Sequence, residues 1–401
     1  MRLWSLVLAV ALTGSVAAQP TVTWEFLGPE SETRALALLD PLDGQPFGLA
    51  KEPLVSIDVG YGDLYRLINP AGGTIWPDQA WAPLHWGDSD PAVYADASGL
   101  ILAANNGGPN VYGRSVDGGA TWARVIDNVC GNAGGGGILR TYAPGRDRAL
   151  WMTSRWCRSD DDGATWTPQP RPEPSYLIMF DLAEVPASAS APTGRMLLAV
   201  GGGVLVSDDG VAWRASSLHG DLMGSGERYV ASSFAVARDA GHPYGATVYV
   251  AVNLGGRTGG PYVAVFASED AGETWAERTA FADGDLGLAY LSGYERIAAL
   301  GDGSLVLGLS SARSGVEPND RGVVVWSGDG GRTWVELGPR APWAGEHPPM
   351  ERCDPPGGQC PGGVWPGWAA KQVAVDREGR VWVGTDHGVW RTSGPAWAVA
   401  E

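Results

Sequence analysis

The sequence predicts an all-β protein, a single seven-bladed β-propeller of four-stranded antiparallel blades, with six and eight blades as the alternative counts. Three observations predict it. The composition, with Gly 59, Pro 29 and Trp 19 against Lys+Arg 28, suits short aromatic-rich strands joined by tight turns and disfavours long helices. One pattern, S-x-D-x-G-x-T-W, recurs along the chain, and a second unit of strand, polar turn and strand lies upstream of it. Together the two units supply four strands per repeat, and repeat folds escape the usual limit on domain size because each unit packs only on its neighbours.

The N-terminus has a cationic start at Arg2, an apolar run from Leu3 to Leu12, and small residues Val16, Ala17 and Ala18 before Gln19. This order is that of a secretory signal peptide over residues 1–18, cleaved after Ala18, which leaves residues 19–401 as one domain and predicts a secreted or periplasmic protein. No later segment approaches the roughly 20 consecutive apolar residues of a membrane helix, so no membrane span is expected. A formal net charge of -17 argues against a nucleic-acid partner, since such proteins neutralise phosphates with a basic surface. Four cysteines allow three pairings; export favours disulfides, and the local pairs Cys130 with Cys157 and Cys353 with Cys360 are the expected ones. With no C-x-x-C spacing and no His-rich cluster, neither a metal nor a cofactor is expected.

The intact copies of the pattern run Ser115 to Trp122, Ser159 to Trp166, Ser268 to Trp275 and Ser327 to Trp334; a further copy, Ser207 to Trp213, is one residue short. In each, Ser and Asp can bond their own backbone, Gly supplies a positive φ, and Thr-Trp starts a strand whose indole packs between sheets. The run Asp160, Asp161, Asp162 falls in this register and reads as turn chemistry ahead of calcium binding. The pattern is that of the Asp-box (BNR) repeat, and the chain resembles the sialidase-like superfamily of β-propellers, which includes sialidases, xyloglucan hydrolases, sortilin-type receptors and photosystem II assembly factors.

Counted in order, the units span 34–86, 92–125, 137–168, 175–215, 228–280, 293–338 and 369–397. The first and last lack an intact box, as terminal repeats often do. Thr23-Trp24-Glu-Phe-Leu-Gly-Pro29 echoes Thr333-Trp334-Val-Glu-Leu-Gly-Pro339, the strand that follows a box, so the N-terminal segment is expected to supply the outer strand of the last blade and close the ring.

Propeller topology puts the boxes on one face and the connections between blades on the other, near the axis, where function is sought. The sequence places Glu32 and Arg34 in the first connection, followed by Trp86, Asp88 and Asp90, by the run Gly134 to Gly137, by His219, Glu227, Arg228 and Tyr229, and by Tyr294, Glu295 and Arg296. The last and longest runs from Arg340 to Trp368 and contains Glu346, Glu351, Trp365 and Trp368. Aromatic faces, carboxylates and guanidinium groups are the chemistry of a carbohydrate site, and a carboxylate pair is that of glycoside hydrolysis. Candidate ligand contacts are therefore Arg34, Trp86, Arg228, Tyr229, Tyr294, Arg296, Glu351, Trp365 and Trp368, and candidate catalytic carboxylates are Asp88, Asp90, Glu227 and Glu295. The proline-rich stretch from Arg340 to Trp368 reads as a recognition lid.

The sialidase likeness implies three arginines around an acidic sugar, with Arg34, Arg228 and Arg296 offered for them, but Arg34-Ala35-Leu36 departs from the family's Arg-Ile-Pro and the count of seven departs from its six blades. No G-x-S-x-G, H-E-x-x-H or phosphate-loop motif is present. The expectation is a secreted propeller that binds an extracellular glycan or protein on the face opposite the boxes; the alternative is a glycoside hydrolase acting on an extracellular polysaccharide.

Overall fold

The computed structural model describes residues 24–28, 32–38, 53–58, 63–67, 81–83, 92–95, 99–104, 111–117, 120–126, 130, 138–140, 149–152, 156–173, 179–192, 194–219, 230–239, 241–254, 261–282, 285, 292–310, 322–337, 370–376, 378–385 and 388–394. They form seven antiparallel four-stranded sheets. The first holds β2 (Glu32–Leu38), β3 (Pro53–Asp58), β4 (Asp63–Leu67) and β5 (Trp81–Pro83). The second holds β6 (Ala92–Ala95), β7 (Ile101–Ala104), β8 (Val111–Ser115) and β9 (Ala123–Ile126), and the third β10 (Ile138–Arg140), β11 (Leu150–Met152), β12 (Cys157–Ser159) and β13 (Thr167–Pro168). The fourth is β14 (Met179–Val185), β15 (Arg195–Val200), β16 (Gly203–Ser207) and β17 (Arg214–His219); the fifth β18 (Val230–Arg238), β19 (Ala246–Asn253), β20 (Pro261–Ser268) and β21 (Ala276–Ala282). The sixth is β22 (Ser292–Ala299), β23 (Leu305–Ser310), β24 (Gly322–Ser327) and β25 (Val335–Glu336). The seventh joins both ends of the chain: β26 (Ala370–Val375), β27 (Val381–Thr385) and β28 (Gly388–Thr392) are completed by β1 (Trp24–Gly28), with Trp24 opposite Thr392 and Phe26 opposite Trp390.

Within a sheet each strand pairs with the next in sequence as a hairpin, except for the β1–β28 pair that brings the two ends of the chain together. The first strands of neighbouring sheets abut one another, β14 on β18, β18 on β22, β22 on β26, and β26 on β2, which returns to β6. The first strands therefore line the axis and the fourth strands form the rim.

The core is a series of interfaces between successive sheets. Leu102 of the second shares a cluster with Leu150 of the third, Trp151 with Leu198 of the fourth, Leu197 with Val250 of the fifth, Val265 with Leu307 of the sixth, and Val306 with Val383 of the seventh. A middle strand thus has both faces covered, which is why β15 and β16 read as unbroken apolar runs and not as an alternation. The disulfide Cys130–Cys157 ties the connection between the second and third sheets to β12, with Cα atoms 6.1 Å apart. Cys353 and Cys360 lie outside the described residues. Among the described residues no helix is long and apolar enough to cross a membrane.

Candidate functional site

Because the strands alternate in direction, the turns from third to fourth strand lie on one face, and each first strand begins on the other. The S-x-D turns all join third to fourth strands: Ser115 ends β8, Ser159 β12, Ser207 β16, Ser268 β20 and Ser327 β24. Their geometry repeats. In the fifth sheet the Ser268 hydroxyl donates to Asp270 Oδ1 at 2.8 Å and accepts from the Gly272 amide at 2.7 Å, while the Thr274 amide and hydroxyl donate to the two Asp270 oxygens at 2.8 and 2.5 Å. Trp275 Nε1 closes the turn on the Gly272 carbonyl at 2.9 Å. The glycine has a second duty besides its φ of 93°: a Cβ there would lie 2.3 Å from Leu197 of the neighbouring sheet.

At the opposite face the axial strands are irregular. Five contiguous first strands carry a β-bulge near their beginnings: β14 between Met179 and Asp181, β18 between Ala231 and Ser233, β22 between Ser292 and Arg296, β26 between Ala370 and Gln372, and β2 between Thr33 and Ala35. The residues skipped by the register are Phe180, Ser232, the Gly293-Tyr294-Glu295 group, Lys371 and Arg34. No such shift interrupts β6 or β10, the first strands of the second and third sheets. Bulges re-aim side chains at barrel rims and beside active sites; here they form an arc around one mouth of the axis.

Next to the bulges, described side chains on three of these strands make polar contacts. The Asp181 carboxylate accepts from the Phe234 amide of the next sheet at 2.8 Å and from the Leu182 amide at 2.9 Å. Arg296 Nη1 donates to the Ser232 carbonyl at 3.0 Å, and the Ile297 amide donates to Ser233 Oγ at 3.4 Å. Burial pushes the Asp181 carboxyl upward in pKa, opposed by the Arg296 charge and the two amides. At the end of β17, burial holds the His219 imidazole below its ordinary pKa, and its Nε2 finds no hydrogen-bond partner among the described residues.

Several sequence expectations need correcting. The sequence predicts connections at Glu32, Arg34, His219, Tyr294, Glu295 and Arg296; the structure puts His219 at the end of β17 and the others inside β2 and β22, because the first strands start before the mouth is cleared and bulge there. Arg34, Tyr294 and Glu295 occupy bulges at the mouth, and Arg296, next to the β22 bulge, donates from Nη1 to the Ser232 carbonyl of the neighbouring strand. Trp86, Asp88, Asp90, Glu227, Arg228, Tyr229, Glu351, Trp365 and Trp368, with the expected lid, lie outside the described residues. Sequence reasoning missed Phe180, Asp181, Ser232 and Lys371. A charged residue breaking the apolar start of a first strand, as Asp181 does in Met-Phe-Asp-Leu-Ala, was the available signal.

No family model matches the sequence, and no curated protein matches it; solved structures do. A GH74 xyloglucanase from Xanthomonas campestris superposes with a TM-score of 0.56 at 18% identity, covering 93% of this chain and 54% of the enzyme, so the chain spans about half of that protein's length. YCF48 bound to D1 peptide superposes with a TM-score of 0.50 at 14% identity, covering 94% of this chain and 97% of that one. YCF48 from Cyanidioschyzon merolae gives 0.49 at 14% identity, over 92% and 98%. The first two likenesses, with the seven four-stranded sheets, establish the fold: the protein is a β-propeller. Its described residues make seven sheets, with a bulged arc at one axial mouth.

Proposed function

We propose that this is a secreted, non-catalytic binding propeller that holds an extracellular glycan or protein segment at the bulged mouth. The observation that carries the reading is the arc itself. Five adjacent first strands break their ladders at the same end, and of the residues so displaced Phe180, Tyr294 with Glu295, Lys371 and Arg34 combine aromatic, carboxylate and cationic chemistry. Ladder irregularity weakens a sheet, and its concentration at one rim fits a surface built for contact. The chain also matches the peptide-bound YCF48 over nearly its whole length and the hydrolase over half.

Hydrolysis of a polysaccharide by a carboxylate pair is the second reading, and the position of Glu295 in the β22 bulge favours it. One screen separates the two. The protein is applied to glycan and peptide arrays and incubated with a panel of polysaccharides while released reducing ends are measured. The binding reading expects saturable binding without product, weakened about tenfold by Arg34→Ala or Lys371→Ala at unchanged Tm, an interaction of about 1.4 kcal/mol. Product release abolished by Glu295→Gln overturns it in favour of the hydrolase.

A further inference from the structure

We propose that Asp181 and Arg296 brace the first strands of the fourth, fifth and sixth sheets into a single unit at the axial mouth, as positioning residues for the surface that the mouth presents. The brace itself stands on geometry; its consequence for binding rests on the function proposed above.

The middle strand of the three is β18. Its bulge at Ser232 separates the pairs Ala231 with Val252 and Ser233 with Ala251, and a bulge deprives the ladder of regular partners for backbone groups that cannot be left bare in a buried place. Ser232 and Ser233 are both only 5% exposed. On the inner edge of β18, which no further strand of its own sheet covers, partners come from the flanking sheets, for the bulged Ser232 and for Phe234, which stays in register with Val250. Arg296, from the sixth, donates to the Ser232 carbonyl at 3.0 Å; Asp181, from the fourth, accepts from the Phe234 amide at 2.8 Å. A carbonyl is served by a cation and an amide by an anion, which is the stronger kind of hydrogen bond in each case.

The two charges also act on each other across β18, since the Arg296 guanidinium offsets part of the burial of Asp181. Neither charge is well placed without its opposite, because an enclosed carboxylate or guanidinium left alone bears the full cost of desolvation. Further links tighten the unit: Ile297 N–H donates to Ser233 Oγ at 3.4 Å, and the Ser232 hydroxyl donates to the Ala251 carbonyl at 3.1 Å. Each charged residue directly follows a group that its own strand displaces, Asp181 after Phe180 and Arg296 after Tyr294 and Glu295. Movement at one bulge is therefore transmitted to the other two.

Native-state amide hydrogen exchange on the full chain tests this without any ligand, so its outcome is independent of the binding reading. Exchange is followed in peptides covering β14, β18 and β22, with β7 of the second sheet as control. Asp181→Asn and Arg296→Met are each expected to speed exchange about tenfold in all three strands while β7 is unchanged. The double variant is expected to be no faster than the worse single one, as for two parts of one device. Arg296→Lys, which keeps the charge, is expected to retain most of the protection, and with Asp181→Asn it supplies a mild pair should the Met variant fold poorly. Acceleration limited to the immediate hydrogen-bond partner, additive effects in the double variant, or a uniform rise that includes β7 overturns the proposal.

Discussion

The carboxylate in each S-x-D turn is surrounded by donors, and this decides how single residues respond to change. At Asp117 the Thr121 hydroxyl and amide and the Ser115 hydroxyl hold the pKa at about 2; at Asp329 burial pulls upward, but the Thr333 hydroxyl and amide with Ser327 and Arg332 overcome it and hold about 2 as well. Asp161, Asp209 and Asp270 are lowered in the same way against burial. Unfolded aspartate titrates near 3.9, so these groups stabilise the fold above roughly pH 4 and withdraw that contribution as the pH falls toward 2. Asp181, raised by burial, has the opposite sign and removes stability as the pH climbs above about 3.9. Urea midpoints measured from pH 6 to pH 2 should fall steeply below about 4, and Asp329→Asn should flatten that fall. At neutral pH, Asp270→Ala should cost about 2 kcal/mol, the scale of losing hydrogen bonds to a charged acceptor, while leaving affinity at the mouth unchanged. Two neighbouring glycines give a contrasting pair. A Cβ on Gly203, whose φ is 126°, would lie 1.7 Å from the Leu218 carbonyl oxygen, whereas one on Gly201 meets nothing within 4 Å. Thermal denaturation should show Gly203→Ala to be destabilised by about 3 kcal/mol or more and Gly201→Ala to be within about 0.5 kcal/mol of the parent.

At the scale of elements, each S-x-D turn seats one sheet on the next. Arg195 Nε donates to Asp208 Oδ1 at 2.9 Å in its own sheet and its Nη1 to the Asp270 carbonyl of the next at 3.0 Å; Arg214 joins the same cluster through Asp208 and Glu273. The Ser217 amide donates to the Glu273 carbonyl at 2.9 Å, so the rim strand of the fourth sheet hangs on the turn of the fifth. Between the second and third sheets the disulfide does comparable work. It closes a loop with a sequence separation of 27, for which the chain-entropy relation gives about 3 to 4 kcal/mol. Replacing Cys130 and Cys157 by Ser should lower stability by up to that amount, read from urea unfolding of parent and variant under non-reducing conditions. Positions of strands and turns were readable from sequence because alternation, glycine and the Ser-Asp pair act locally. The bulges were not, because a bulge is a relation between two strands and leaves no mark in either alone.

At the scale of the molecule, stability depends on the ring being closed. β1 pairs with β28 through Trp24–Thr392, Glu25–Arg391 and Phe26–Trp390, so residues far apart in sequence complete one sheet. A Glu25→Pro, Phe26→Pro double variant, which removes the amide facing β28 whichever of the two carries it, should lower the unfolding free energy, read from urea unfolding, by about 3 kcal/mol. It should also expose the β28 edge, with concentration-dependent association visible in light scattering. A variant that stays monomeric and as stable as the parent would show that closure rests on the contact of β2 with β26 alone.

The sequence by itself determined the repeat, the four-strand unit, the turn chemistry and the echo between the Trp24 and Trp334 segments, since each is written in short-range residue order. It also marked Arg34, Tyr294 and Glu295 as residues of the axial face. Only the tertiary structure decided that these three sit in bulges, that Arg296 serves the Ser232 carbonyl, and that Asp181 belongs with them. Partners such as Asp181 and Arg296 are more than a hundred residues apart in the chain, and they meet only because seven sheets packed face to face bring their first strands to a common axis.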